Sequence, residues 1–143
     1  MKTILIAVLL TFCSVQLGIA QKTNPLRGTW RMVYSKYTTD GKSFEVTDFK
    51  ENKQLKNYDQ KYFMFVEEFY ENDSLRSNSG GGTYNYANGK LTEHIQMHTF
   101  RSMKGTTVNF EIKFKNDTLI QSTPGKTKYS KGDGLYEEYV RAK

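Results

Sequence analysis

The chain has 143 residues, of which 37% are hydrophobic and 14% aromatic, and its formal net charge is +6. This length fits one domain, and no stretch beyond the N-terminal segment is apolar enough to span a membrane. Cys13 is the only cysteine, which excludes an intrachain disulfide framework.

Residues 1–20 have the composition of a secretory signal peptide. Lys2 precedes an apolar run at 4–12, and small residues stand just before Gln21. Removing 20 residues from 143 leaves 123 without cysteine, and the loss of Lys2 leaves 20 basic against 15 acidic residues, a formal charge of +5. We predict an exported protein, periplasmic or extracellular, with a single domain at 21–143.

The first predicted strand covers 26–37 and contains the only tryptophan of the chain. Trp30, Met32 and Tyr34 fall on one face by the two-residue period of a strand. Gly28 lets the backbone approach a neighbour closely just before this large side chain. We expect the face that carries Trp30 to point into the core.

Further strands are predicted between turn signals along the rest of the chain. Asn88-Gly89 is a strong hairpin signal, and the alternation at 106–115 requires one buried face. The glycine-rich run at 77–82 is predicted to be a flexible hairpin loop or a flap at a barrel mouth. Period does not decide which face of 61–70 points inward. The predicted strands are 44–46, 53–58, 61–70, 83–86, 90–100, 106–115, 118–123 and 135–142.

Short strands at regular spacing, with no helical period, indicate an all-β sandwich or an up-and-down barrel. Tight turns join nearly every pair of neighbouring strands. A meander that closes on itself is then the economical topology, because closure removes both exposed edges. We predict an antiparallel up-and-down β-barrel of about eight strands.

Two motifs at opposite ends of the chain resemble the paired signature of the lipocalins and fatty-acid-binding proteins, the calycin superfamily. These are Gly28-Thr29-Trp30 and, in the last strand, Arg141. The middle of the chain, with KYFMF, GGGTY and TEHI, is similar to uncharacterised secreted lipocalin-like proteins of bacteria. The resemblance implies that Trp30 closes the base of the barrel and that Arg141 packs over it. The span 37–52 carries no helix pair like the lid of fatty-acid-binding proteins, so the family does not name the ligand.

The aromatic residues exceed what closing one small barrel requires. This excess predicts an interior that binds an apolar or amphipathic small molecule, with tyrosine hydroxyls as the few polar contacts. The predicted ligand-binding residues are Met32, Tyr34, Phe63, Phe65, Tyr84, Tyr86, His94, Phe110 and Tyr139.

The sequence offers no motif for catalysis or for a metal ion. His94 and His98 lie on one predicted face, but a strand places them roughly 13 Å apart, too far to share a metal. Four acidic residues near a strand end are predicted to be solvated charges: Glu67, Glu68, Glu71 and Asp73. We therefore predict a non-enzymatic binding protein with no catalytic residues, no metal and no cofactor.

Two alternatives stay open on the sequence alone. One is a packed barrel without a cavity, acting as an envelope or protein-interaction module. The other is an isomerase or lyase that uses a buried Tyr-Glu-His set. Lysines near aromatic residues also suggest a barrel for single-stranded nucleic acid, but export and a charge of only +5 argue against a nucleic acid partner.

Overall fold

A computed structural model describes residues 24–39, 42–50, 53–123 and 134–143. The predicted signal peptide, two residues of the first turn (40–41) and most of the predicted loop at 126–134 lie outside the described residues. The strands are β1 (Gly28–Thr39), β2 (Lys42–Val46), β3 (Lys53–Tyr58), β4 (Tyr62–Glu71), β5 (Ser74–Ala87), β6 (Lys90–His98), β7 (Thr107–Lys115), β8 (Thr118–Ser122) and β9 (Gly134–Arg141).

A 3-10 turn, Arg101–Met103, lies between β6 and β7. No helix within the described part of the chain has the length and apolar character needed to cross a membrane.

The sheet closes into a barrel of eight strands because β1 has partners on both of its edges. Its first residues, Gly28 to Arg31, pair with β3, and residues Trp30 to Thr38 pair with β9 on the other edge. Each strand from β3 to β9 pairs antiparallel with the next. β2 pairs only with the second half of β1. The predicted all-β, antiparallel up-and-down barrel is confirmed.

A β-bulge at Val33 divides β1 into two halves. Met32 pairs with Tyr139, whereas Tyr34 already pairs with the next residue along, Glu138. One extra residue in a strand turns every later side chain to the opposite face. Met32 therefore points inward before the bulge, and Ser35 and Tyr37 point inward after it.

The glycine-rich run is part of a strand and not a loop. Residues 77–82 lie in the middle of β5, where all six pair with β4 and Gly80 to Gly82 also pair with β6, so the predicted flexible loop or flap is wrong. Gly82 permits this close packing, since a Cβ there would overlap the carbonyl oxygen of His94. Opposite these glycines β6 carries a second bulge at Gln96, which stands unpaired between Ile95 and Met97.

The apolar core occupies one end of the barrel, here called the base. Leu26 and Trp30 are 0% and 2% exposed, and the indole N–H of Trp30 donates to the carbonyl oxygen of Leu26 at 2.7 Å. The Arg141 guanidinium lies 3.8 Å from the centre of the Trp30 ring. Both features that the resemblance to lipocalins implied for the base are thus confirmed.

The predicted buried face of the strand at 106–115 is also confirmed. Phe110 and Ile112 in β7 are 6% and 5% exposed, and Val108 packs against the core. In β4 the inward side chains are Phe63, Phe65, Glu67 and Phe69, while their neighbours point to solvent. The structure thereby answers the question that the period of 61–70 left open.

Candidate functional site

Above the apolar base, six polar side chains form a connected layer inside the barrel. All six are between 0% and 7% exposed, so their polar groups must find partners within the layer or at a cavity. They come from four strands, two each from β3 and β9 and one each from β6 and β8, and barrel closure brings them together. The layer consists of Lys56, Tyr58, Glu93, Gln121, Glu137 and Tyr139.

Lys56 and Glu93 form a buried ion pair at the centre of this layer. The Lys56 Nζ lies 2.9 Å and 3.2 Å from the two carboxylate oxygens of Glu93, and the Tyr58 hydroxyl donates to Glu93 Oε1 at 2.6 Å. The Lys56 ammonium also lies 5.2 Å from the centre of the Phe110 ring. Burial, and then the adjacent Glu93 carboxylate, raise the pKa of Tyr58 well above its ordinary value, so this tyrosine stays a donor.

Glu137 is the second carboxyl group of the layer, and the described residues place no salt-bridge partner beside it. Its Oε2 accepts hydrogen bonds from Gln121 Nε2 at 3.1 Å and from the Tyr139 hydroxyl at 2.8 Å. Burial raises the pKa of Glu137 to about 7, although Lys56 and the bond from Tyr139 act to lower it. Glu137 is thus a buried carboxyl that changes its charge near neutral pH.

A cavity of about 290 Å³ lies directly on this layer, and we call it the central cavity. Its floor is polar and is formed by Lys56, Glu93, Gln121 and Glu137. Its wall is mostly apolar and includes Phe65, Ile95, Met103, Val108, Phe110 and Leu135. The described side chains therefore leave the centre of the barrel open, which does not favour a packed barrel.

A second cavity of about 460 Å³, the outer cavity, adjoins the first. It lies where β1 leaves its partner β3, after Arg31, and pairs with β2 from Ser35 onward. The two cavities share four lining residues, which stand between them: Tyr37, Gln54, Leu135 and Glu137. Glu137 is therefore reached from both cavities.

The outer cavity contains a further carboxyl group, Glu67. Its Oε2 accepts a hydrogen bond from Asn78 Nδ2 at 3.2 Å, and burial raises the pKa of Glu67. The sequence-based prediction placed this residue in a solvated acidic patch, which is wrong because Glu67 is on the inward face of β4. Glu68, Glu71 and Asp73 are exposed, as predicted.

Three of the predicted ligand-binding residues line the cavities. Phe65 and Phe110 form part of the wall of the central cavity, and Met32 lines the outer cavity. Their predicted role as ligand contacts stays a prediction.

Four other predicted ligand-binding residues point inward but lie nearer the base. Phe63 and Tyr84 are 3% and 6% exposed, and each packs against the Tyr58 ring. Tyr86 is half-buried against the same core. Tyr139 is fully buried and reaches the polar layer through its hydroxyl, which donates to Glu137. These side chains support the floor of the central cavity from below.

Two predicted ligand-binding residues lie outside the barrel, which corrects the prediction. Tyr34 follows the bulge at Val33, and its ring packs on Tyr136 with ring centres 5.8 Å apart. His94 is exposed, with its Nδ1 3.0 Å from the Thr107 hydroxyl oxygen. For Tyr34 the two-residue period assigned the wrong face because the bulge interrupts it, whereas His94 lies on the outer face that the period of Leu91, Glu93 and Ile95 gives.

His98 occupies the interior position that was predicted for His94. The bulge at Gln96 puts the two histidines on opposite faces of β6, so the prediction of a shared face is wrong. The His98 ring lines the central cavity, 5.5 Å from the Phe65 ring, and its Nδ1 accepts the backbone N–H of Phe100. Burial lowers the pKa of His98, which favours the neutral ring.

The polar floor itself was missed by the sequence analysis. A signal was present, because each of its residues is two positions from an apolar or aromatic side chain on the same face of its strand. Glu93 stands between Leu91 and Ile95, and Lys56 stands two residues before Tyr58. A polar residue inside an apolar period indicates either a buried pair or a binding site.

Comparisons with known proteins give one family and two solved structures. The sequence model of the family described as "Domain of unknown function (DUF4488)" matches residues 25–143. Apocrustacyanin C1 is 10% identical, with a TM-score of 0.46 over 87% of this chain and 64% of that chain. The chain thus spans less than two thirds of apocrustacyanin C1.

The siderocalin Ex-FABP, described as functioning through dual ligand specificities, is 11% identical, with a TM-score of 0.36 over 83% of this chain and 75% of that chain. No curated protein sequence matches the chain significantly.

Proposed function

The chain belongs to the DUF4488 family, and we propose that it binds an amphipathic small molecule inside its barrel. One observation carries this proposal, namely a central cavity of about 290 Å³ with a polar floor and an apolar wall. In small-molecule sites, apolar and aromatic side chains bury most of the ligand, and a few placed polar groups orient it. An eight-stranded barrel is just wide enough to hold one small ligand.

The direction of the ligand follows from where the polar groups lie. Lys56, Glu93 and Glu137 form the floor, whereas Leu135, two residues before Glu137 in β9, lies farther from Trp30 along the ladder between β1 and β9. A ligand whose polar and apolar ends match this arrangement enters with its polar end first. Its apolar part then rests on the wall of the central cavity and extends toward the outer cavity of about 460 Å³.

We also propose that the protein acts outside the cytoplasm and without catalysis. The proposed export rests on the signal-peptide composition of residues 1–20. The absence of catalysis is proposed because the polar groups of the floor are bonded mainly to one another, as a rigid recognition surface requires.

A second candidate function, proton transfer of the isomerase or lyase type, is favoured by Glu137. A carboxyl group with a pKa raised to about 7 that lines a cavity is suited to act as a general base. Tyr58 and Glu93 do form a buried hydrogen bond, but His94 lies on the outer face and His98 is bonded to the backbone of Phe100. A Tyr-Glu-His set is therefore not assembled among the described residues, and binding stays the first proposal.

A pair of matched substitutions tests the binding proposal. Val108→Phe adds a ring to the wall of the central cavity, and Val66→Phe makes the same change on the outer face of β4, where Val66 is 55% exposed. The thermal midpoint is measured with octanol, octanoate and octylamine, each below its micelle concentration.

At least one of these compounds should raise the thermal midpoint of the wild-type protein as its concentration rises. Val108→Phe should reduce that increase, and Val66→Phe should leave it unchanged. No increase with any of the three compounds, or an equal loss in both variants, would contradict binding in the central cavity.

A further inference from the structure

The described interior of this barrel is acidic, although the chain as a whole carries a formal charge of +6. Three carboxyl groups, Glu67, Glu93 and Glu137, line the two cavities, against one buried ammonium group, Lys56. Lys53 stands at the rim of the outer cavity and is exposed. The described interior thus has more carboxyl groups than cations to pair with them.

The buried cation is already paired. Lys56 lies within 3.2 Å of both oxygens of Glu93, and the Tyr58 hydroxyl donates to the same carboxylate. Lys56 also has the rings of Tyr58, Phe63 and Phe110 around it, at 5.2 to 5.7 Å from their centres. A ligand carboxylate would have to displace Glu93 to gain this charge, which would leave a buried carboxylate unpaired.

Glu137, in contrast, has one carboxylate oxygen, Oε1, that accepts no hydrogen bond from the described residues. Both of its hydrogen bonds within the described residues, from Gln121 and from Tyr139, end on Oε2. Every fully buried side-chain oxygen of the described residues has a hydrogen-bond partner. Because Oε1 has none, it is not fully buried, and it faces the cavities that Glu137 lines. Such an oxygen accepts a hydrogen bond, and when ionised it accepts best from a cation.

We propose that the ligand of this barrel carries a cationic amine at its polar end, and that the amine docks on Glu137 with Glu67 as a second carboxyl group nearby. This inference rests on the proposed binding function and names the chemical class of the ligand. The ammonium group supplies the missing positive charge and donates to Glu137 Oε1. The apolar part of the ligand packs on Phe65, Val108 and Phe110 in the central cavity.

The proposal requires a characteristic dependence on pH. The groups that face Glu137 are Lys56 from β3, Glu67 from β4, Glu93 from β6 and Tyr139 on its own strand, and burial among them raises its pKa to about 7. An alkylammonium group stays charged over this range, as a lysine does. Because the amine binds the ionised carboxylate, its affinity should increase about tenfold between pH 6 and pH 8, following the ionised fraction of a group that titrates near pH 7.

The test is calorimetric titration with octylamine, octanol and octanoate at pH 6 and pH 8. The variant Glu137→Gln removes the charge with almost no change of shape, and Glu138→Gln is its matched control. Glu138 is the next residue, points outward and accepts a hydrogen bond from the Tyr136 hydroxyl. Near-ultraviolet circular dichroism of each variant verifies that the barrel is folded, and Glu67→Gln provides a second variant if Glu137→Gln does not fold.

Octylamine should bind the wild-type protein most tightly, and about tenfold more tightly at pH 8 than at pH 6. Glu137→Gln should lose at least about tenfold in octylamine affinity together with the pH dependence, and Glu67→Gln should lose less, while Glu138→Gln should bind as the wild type does. The amine proposal is overturned if octanol or octanoate binds as tightly as octylamine, or if neither interior variant weakens octylamine. If none of the three compounds binds, the binding function itself fails.

Discussion

The guanidinium group of Arg141 stacks on the indole ring of Trp30, with its Cζ 3.8 Å from the ring centre. The two residues are partners in the ladder between β1 and β9, so barrel closure itself brings them together. Arg141 also donates to the carbonyl oxygens of Pro25, at 2.9 Å, and of Arg27. The last strand thereby holds the segment that enters β1 over the base of the barrel.

A double-mutant cycle on this pair should show coupling. Trp30→Ala should destabilise the protein by about 3–5 kcal/mol, as deletions of large buried aromatic side chains do. Arg141→Ala should cost about 0.5–2 kcal/mol, because it removes a cation–π contact and two hydrogen bonds to backbone carbonyls. Urea unfolding of both variants and of the double variant measures the coupling. Strictly additive losses would mean that the two side chains do not stabilise each other.

A side chain at Gly28 should destabilise the barrel while Arg141 is present. Its φ is +115°, and a Cβ there would collide with the Arg141 guanidinium. Gly105 also has a positive φ, of +83°, but open space around the Cβ position. Gly28→Ala should therefore cost more free energy of unfolding than Gly105→Ala, by about 1 kcal/mol or more. In the Arg141→Ala background the difference in cost between Gly28→Ala and Gly105→Ala should decrease. If that difference does not change, the Cβ at position 28 does not collide with Arg141.

Gly82→Ala should be among the most destabilising small substitutions in the barrel. Its Cβ would overlap the His94 carbonyl oxygen, which belongs to the paired backbone of β6 and cannot move aside as a flexible side chain can. We expect a loss of at least about 2 kcal/mol in the free energy of unfolding. Ser79→Ala, three residues earlier in β5, is the control and should change stability little. Comparable small effects of both variants would restore the view that 77–82 is a flexible loop.

The stability of the free protein should depend on pH through Glu137. Burial raises its pKa from the ordinary value of 4.5 to about 7, so the folded state binds this proton more tightly than the unfolded state does. The contribution of Glu137 to stability is then greatest below pH 4.5, falls as the pH rises to about 7, and is constant above that. The full contribution is about 3 kcal/mol at most.

Urea unfolding between pH 4.5 and pH 8 measures this contribution when the wild type is compared with Glu137→Gln. As the pH rises across that interval, the free energy of unfolding of Glu137→Gln should increase relative to that of the wild type. Glu138→Gln should follow the wild type. Parallel curves for the wild type and Glu137→Gln would show that Glu137 has the same proton affinity in the folded and unfolded states.

Processing of the N-terminus tests the proposed export. We expect the protein recovered from the cell that exports it to begin at or near Gln21, because small residues stand just before this position. Mass spectrometry of the intact protein in each cell fraction measures this. An intact Met1 in the cytosolic fraction would contradict the proposed location.

The sequence by itself determined the architecture and the base of the barrel. The alternation at 106–115 placed β7 with the correct buried face, because an uninterrupted ladder fixes the faces of a strand by period alone. The contact between Trp30 and Arg141 was implied by the resemblance to lipocalins, and closure of the meander, which pairs the start of β1 with the end of β9, accounts for it.

Only the tertiary structure determined which side chains form the cavities. Bulges at Val33 and Gln96 each add one residue, and they turn Tyr34 outward and His98 inward against the local period. Glu137 and Glu93 look like ordinary surface charges in the sequence, since burial of a carboxyl group depends on partners far away in the chain. Lys56 is 37 residues from Glu93, and Gln121 is 16 residues from Glu137. These contacts form only when the barrel closes, so the alternation of polar and apolar residues in the sequence does not predict the polar floor.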